Sequence, residues 1–296
     1  MNERRGFLVV DKPSGVTSFS MVALVRRLTG VRRVGHAGTL DPLASGVLPV
    51  AVGAATRLIE YMDDEYKTYL ATVRFGASTT TYDAEGDVTA TADASTLAAA
   101  DVEASLAQFV GDVEQVPPLY SAIKLAGKPL YTYAREGADI TPTARRVHIE
   151  RIALLAFGDE TAQMEVVCGK GTYIRSLAHD LGVVLGTRAH LAALRRTRSG
   201  GFGLADAHTP DAIAAAATAD TLDELLLAVD RAVERRPAAI FDAPAARAIS
   251  EGRDIELGGP TTAELCRAYT IDGSFVGMLG RRPSGVWHPK KVISGP

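Results

Sequence analysis

Asp41 is the side chain in this sequence best placed to do chemistry. It lies within Gly35-His36-Ala37-Gly38-Thr39-Leu40-Asp41-Pro42-Leu43-Ala44-Ser45-Gly46. Glycines and a proline at this density suit neither a helix nor a strand interior, so the stretch reads as a loop held in one shape. The apolar run from Val47 to Val52 reads as a buried strand able to anchor it. Leu40 and Pro42 leave the carboxylate without polar neighbours in sequence. An Asp-Pro pair can be no more than a turn whose carboxylate caps backbone N–H groups. The other reading is a nucleophile. Burial alone would protonate such an acid and weaken it, so the second reading requires a cation nearby.

Arg175 is the candidate cation. Gly169-Lys170-Gly171-Thr172 reads as a tight turn, with Thr172 capping a helix from Tyr173 to about Leu185 that Gly186 closes. A cation in the first turn of a helix opposes the macrodipole, so Arg175 needs a partner. A third group is Tyr69. Alternation over Tyr66–Phe75 predicts a strand with Lys67, Tyr69, Ala71, Val73 and Phe75 on one face. An inward tyrosine there either packs the core or offers its ring to a ligand.

Taken in order, these segments resemble the TruB family of tRNA pseudouridine synthases, which isomerise the T-loop uridine at tRNA position 55. The resemblance runs over approximately residues 6–200 in five separate segments. It implies that Asp41 is the nucleophile, attacking either uracil C6 or ribose C1′, and that Arg175 pairs with it. By the same resemblance Tyr69 stacks on the target uracil, and Tyr173 and Leu194 complete the pocket. His36 would occupy the space left by the extruded base, and Lys12 would support the loop from beneath. The expected partner is tRNA, gripped at its T-arm and elbow. A base stacked there must be flipped out at a cost of a few kcal/mol. Isomerisation needs no redox change or group donor, so neither cofactor nor metal is expected.

The elements that must position these residues are legible to different degrees. Phe7–Val10 reads as a strand, followed by a turn through Asp11 and Lys12, with Ser18 capping a helix that Gly30 stops. Ala54–Tyr61 and residues 95–110 read as helices, the latter amphipathic. Residues 117–137 interleave Lys124, Lys128 and Arg135 with Tyr120, Tyr131 and Tyr133, a composition suited to gripping RNA by phosphate contacts and stacking. The family resemblance makes this region a mobile flap, about residues 117–145. Arg146–Phe157 and Thr161–Cys168 read as paired strands, and His190–Gly200 as a basic strand whose three arginines could meet phosphates. Residues 209–229 read as packing helices. From about Pro237 short runs broken by glycine and proline suggest a small β-rich unit, PUA-like by resemblance. By the same resemblance the expected fold is α+β: a mixed, largely antiparallel sheet flanked by helices in a catalytic domain at 1–236, then a PUA-like RNA-binding domain at 237–296.

The chain has 296 residues, 47% of them hydrophobic, which is enough for a sizeable core. Two cysteines are too few for a disulfide scaffold. The N-terminus lacks the features of a signal sequence and no stretch is apolar enough to span a bilayer. A cytoplasmic monomer is the expectation. The net charge of −3 hides a pattern: +4 over residues 1–60, −9 over 61–118, +5 over 119–205 and −3 beyond. The two basic blocks hold the candidate site segments, and phosphate attraction follows the local field.

Other chemistries find little support. No phosphate-binding Gly-rich loop or zinc helix occurs. His179-Asp180 could belong to a metal phosphohydrolase, but the rest of that ligand set is missing. Ser121-Ala122-Ile123-Lys124 fits a Ser-x-x-Lys acyl-transfer pattern without its downstream partners. A non-catalytic RNA-binding or RNA-folding protein would use the same basic segments, and differs in having no chemical role for Asp41.

Overall fold

The computed structural model describes residues 4–62, 66–125, 127–136, 138, 140–257 and 262–293. Strand β1 (Gly6–Lys12) and helix α1 (Ser18–Thr29) lead to β2 (Val34–His36) and β3 (Ser45–Val52), which bracket the Asp41 loop. A 3-10 segment, Gly53–Met62, precedes β4 (Lys67–Phe75), the ribbon β5 (Ala77–Thr79) and β6 (Val88–Thr91), α2 (Ala99–Leu106) and β7 (Gly111–Gln115). The hairpin β8 (Lys124–Leu125) and β9 (Lys128–Pro129) with α3 (Leu130–Arg135) lies before the long strands β10 (Arg145–Gly158) and β11 (Thr161–Cys168). Then come α4 (Ile174–Val184), β12 (Ala189–Ser199), β13 (Phe202–Gly203), β14 (Ala207–His208) and α5 (Pro210–Thr218). The C-terminal part holds β15 (Ala238–Phe241), α6 (Ala243–Ser250), β16 (Leu265–Thr270), β17 (Phe275–Arg281) and β18 (Trp287–Val292).

Among the described residues one sheet of ten strands runs β14-β1-β3-β12-β4-β11-β10-β7, with β2 on β3 and β13 on β12. Within this sheet only the β1–β14 and β3–β12 strand pairs are parallel. The fold is α+β, as the sequence implied. β4 alternates as its sequence predicts, burying Tyr69, Ala71, Val73 and Phe75. The main core packs these against Leu8, Leu48, Met164 and Leu177 from neighbouring strands and α4. The C-terminal strands form their own four-stranded sheet around Trp287, Phe241 and Ile249, while Met278 packs instead with Phe7 and Phe202 of the large sheet.

Several local expectations shift. The strand through Phe7–Val10 continues over Asp11 and Lys12, both paired with β3. Thr17, not Ser18, caps α1, its hydroxyl accepting from the Ser20 N–H; Ser18 is turned inward. Thr172 does not cap α4: Tyr173 holds the cap position with no side-chain cap bond. The helix expected at 54–61 is 3-10, and the one expected at 95–110 shrinks to α2 with a 3-10 extension at Ala107–Phe109.

Candidate active site

The Asp41 loop is fastened from one side by the turn after β1. Ser18 Oγ accepts from the Leu40 N–H at 2.8 Å, the Gly15 N–H donates to the Pro42 carbonyl at 2.8 Å, and Ser14 Oγ donates to the Leu43 carbonyl at 2.8 Å. Lys12, fully buried, donates from Nζ to the carbonyls of Pro13, Val16 and Pro42. Burial pushes its ammonium down to about 8. Carbonyl oxygens thus converge on one cation beneath the loop.

Arg196 holds the loop from the other side. Also fully buried, it donates from Nε to the Val47 carbonyl at 2.8 Å and from Nη2 to the Gly38 carbonyl at 3.1 Å. β3 and β12 pair only at Arg195–Ser45 and Arg196–Gly46. At Gly46, with φ of +101°, an added Cβ would fall 2.2 Å from the Arg196 carbonyl oxygen, so only glycine fits. Of the three arginines expected to meet phosphates, Arg196 is instead an internal brace. Arg195 pairs with Asp11 at 2.8 Å, and Arg198 Nε donates to the Gly200 carbonyl.

Arg175 enters from the first turn of α4. Gln115 fixes that turn by donating from Nε2 to the Tyr173 carbonyl at 3.0 Å and accepting from its N–H at 2.7 Å. The guanidinium then finds the partners that its helix position required. Nη1 donates to the Thr81 carbonyl at 3.1 Å and Nη2 to the Tyr120 carbonyl at 3.0 Å. Nε lies 2.9 Å from Asp41 Oδ2, an ion pair without hydrogen-bond alignment, and Nη1 lies 3.5 Å from Asp83 Oδ2. The two carboxylates differ in access: Asp41 is 38% exposed and Asp83 4%. Asp83 is further occupied by the Thr81 hydroxyl and the Glu85 N–H, which leaves Asp41 as the available one.

These groups line a cleft of about 320 Å³. Asp41, Arg175, Tyr69, Tyr173, Leu194 and Lys67 all face it. Burial raises both phenols above the ordinary tyrosine value, so each presents a neutral ring. His36 and Lys12 do not line the cleft. His36 pairs with Val50 in the sheet, its imidazole lowered by burial and by the Arg196 charge. The Ser-x-x-Lys alternative fails geometrically: Ser121 faces the cleft, whereas Lys124 is exposed and outside it. Among the described residues no group of His, Cys, Asp and Glu could hold a metal ion, and no helix is long and apolar enough to cross a membrane.

Sequence reading did not single out Asp83, Gln115 or the bracing role of Arg196. The polar string Thr79–Gly86 was the available signal for Asp83, since a buried carboxylate in such a loop requires a cationic partner. Nothing local marks Gln115, which reaches Tyr173 only because β7 ends beside α4.

Residues 26–174 match the family described as TruB family pseudouridylate synthase (N terminal domain), and residues 175–234 match the tRNA pseudouridylate synthase B C-terminal domain. A protein of Acaryochloris marina named tRNA pseudouridine synthase B is 52% identical over 74% of this chain and 77% of its own length. One of the same name from Methylobacillus flagellatus is 41% identical over 97% of this chain and 95% of its own. Among solved structures, a chain in the crystal structure of a Cbf5–Nop10–Gar1 complex is 25% identical with a TM-score of 0.76, covering 100% of this chain and 87% of that one. With the loop, the cleft and these likenesses together, the chain belongs to the TruB family of pseudouridylate synthases.

Proposed function

We propose that this chain converts uridine 55 in the T-loop of tRNA into pseudouridine, with Asp41 as the nucleophile. The observation that carries the reading is the accessible Asp41 carboxylate, ion-paired to a buried Arg175 on the wall of a cleft with two neutral aromatic rings. A cleft of this size admits one extruded nucleotide and not a duplex, so the base must leave its stack before reaction. Tyr69 then stacks on the uracil, with Tyr173 and Leu194 closing the pocket. Burial holds the Tyr69 phenol neutral, which suits a stacking face better than a base. His36, displaced from the cleft in the free protein, would fill the gap left in the T-loop.

Attack by Asp41 Oδ on ribose C1′ would expel the N1–C1′ electron pair onto uracil. Attack on C6 would instead saturate the C5–C6 bond and tether the base. Either route breaks N1–C1′ and ends with C5 joined to C1′, the carboxylate released, the C5 proton lost and a proton gained at N1, so that the product is an isomer of the substrate. The chain would act as a monomer. Residues 1–236 would form the catalytic unit and 237–296 a PUA-like RNA-binding unit docked on it, in the cytoplasm. The test is incubation with an unmodified tRNA transcript followed by pseudouridine mapping. Asp41→Asn should abolish the product at position 55 while RNA binding stays within a few-fold. Loss of binding in proportion to activity would make Asp41 structural, and product at another position would reject the site assignment.

A further inference from the structure

Behind Arg175, a ring stack remains that the proposed chemistry does not use. Tyr82 lies flat on His179, ring centroids 3.9 Å apart and planes 11° from parallel. Tyr82 stands between Thr81 and Asp83, the two residues that hold Nη1 of Arg175. His179 stands one turn beyond Arg175 on the same face of α4. The loop and the helix are therefore joined twice, once through the guanidinium and once through the rings.

Tyr82 has φ of +62°, in the left-handed region that favours glycine or asparagine. A bulky residue persists there only when its surroundings over-determine it. Its N–H donates to the Thr79 carbonyl at 3.3 Å, and its own carbonyl accepts from the Leu191 N–H at 3.0 Å. Those bonds fix the backbone but leave the side chain free, so a smaller residue would satisfy them with less strain. The ring has another use. Burial and the nearby Arg188 lower the His179 imidazole, so the contact is between two neutral rings and needs no protonation.

We infer that the Tyr82–His179 stack is a positioning device for Arg175: it sets the Thr81–Asp83 turn at the height on α4 where the guanidinium can hold Asp41. The inference rests on the reading of Asp41 as nucleophile. Both rings act through Arg175 and neither touches substrate. Tyr82→Gly relieves the backbone strain and removes the ring, so it separates positioning from foldability. His179→Ala removes the other ring.

The experiment measures single-turnover pseudouridine formation on unmodified tRNA, with RNA affinity and thermal unfolding followed separately. Each variant should slow the reaction by up to about 100-fold, the loss a misplacement of about 1 Å can produce. RNA affinity should stay within a few-fold of the parent. The double variant should be no slower than the worse single one, because the two rings make one contact. Tyr82→Phe and His179→Phe, which keep stacked rings, should restore most of the rate. Parental rates in Tyr82→Gly and His179→Ala, losses that multiply in the double variant, or a defect confined to RNA affinity would each overturn the inference. The parent is assayed first: an inactive parent rejects the nucleophile reading itself, whereas an active parent with unaffected variants rejects only the stack's role.

Discussion

Replacing Arg175 by lysine keeps the positive charge and discards the planar fork. The structure shows what the fork holds: the Thr81 and Tyr120 carbonyls, the buried Asp83 carboxylate and the half-exposed Asp41 carboxylate. These contacts are unequal. At 38% exposure Asp41 is screened by solvent, so its pairing contributes at most about 1 kcal/mol to folding. Hydrogen bonds from a charged donor contribute about 1.5–3 kcal/mol each. A single ammonium on a shorter reach cannot match the spread of the fork and keeps at best one of the Thr81 carbonyl, the Tyr120 carbonyl and the buried Asp83 carboxylate. With partners that are only part-buried the lower end applies, so two lost contacts cost about 3 kcal/mol, which lowers the unfolding midpoint by roughly 6–12 °C. The proposed reaction should slow as well, by about 100-fold, because the charge beside Asp41 is kept but is no longer held where the fork placed it. Differential scanning calorimetry reads the first quantity and single-turnover pseudouridine formation the second. A lysine variant as fast as the parent refutes the reasoning. A rate that falls only in step with the folded fraction at the assay temperature refutes its catalytic half.

Two further perturbations address how the Asp41 loop is held. Lys12 is buried, with its pKa lowered from 10.5 to about 8 by desolvation, so between those values the unfolded chain binds the proton that the folded chain has released. Stability contributed by Lys12 is thus complete above about 10.5 and lost as pH falls through about 8. Measured against Lys12→Met by chemical denaturation, the parent should gain up to about 3 kcal/mol over that window, and a flat difference would reject the burial argument. Gly46→Ala places a Cβ against the Arg196 carbonyl at a left-handed φ. It should cost about 2–5 kcal/mol, read by thermal unfolding, and an unshifted midpoint would show that β3 and β12 can part there.

What the sequence revealed of this molecule divides along a physical line. Elements specified by local periodicity were legible: the alternation of β4, the paired strands β10 and β11 and the β-rich C-terminal part; the mixed sheet that joins them came from the family resemblance. Their ends were less so, because Thr17 and Ser18 can both cap a helix and only the tertiary contact of Ser18 with Leu40 decides between them. Asp41, Tyr69 and Arg175 were singled out from their own segments, Tyr173 and Leu194 through the family resemblance, and all five line one cleft. The braces were not legible. Arg195, Arg196 and Arg198 lie on one strand and are interchangeable by composition, and strict alternation would put Arg196 and Arg198 on one face. Irregular pairing with β4 between those two breaks the period, so counting cannot say which arginine turns inward. Asp83 and Gln115 reach their partners across loops and strands distant in sequence. A loop that must stay rigid in a cleft needs donors for its carbonyls from outside its own segment, so the residues that fix the geometry of Asp41 are those whose partners local patterning does not name.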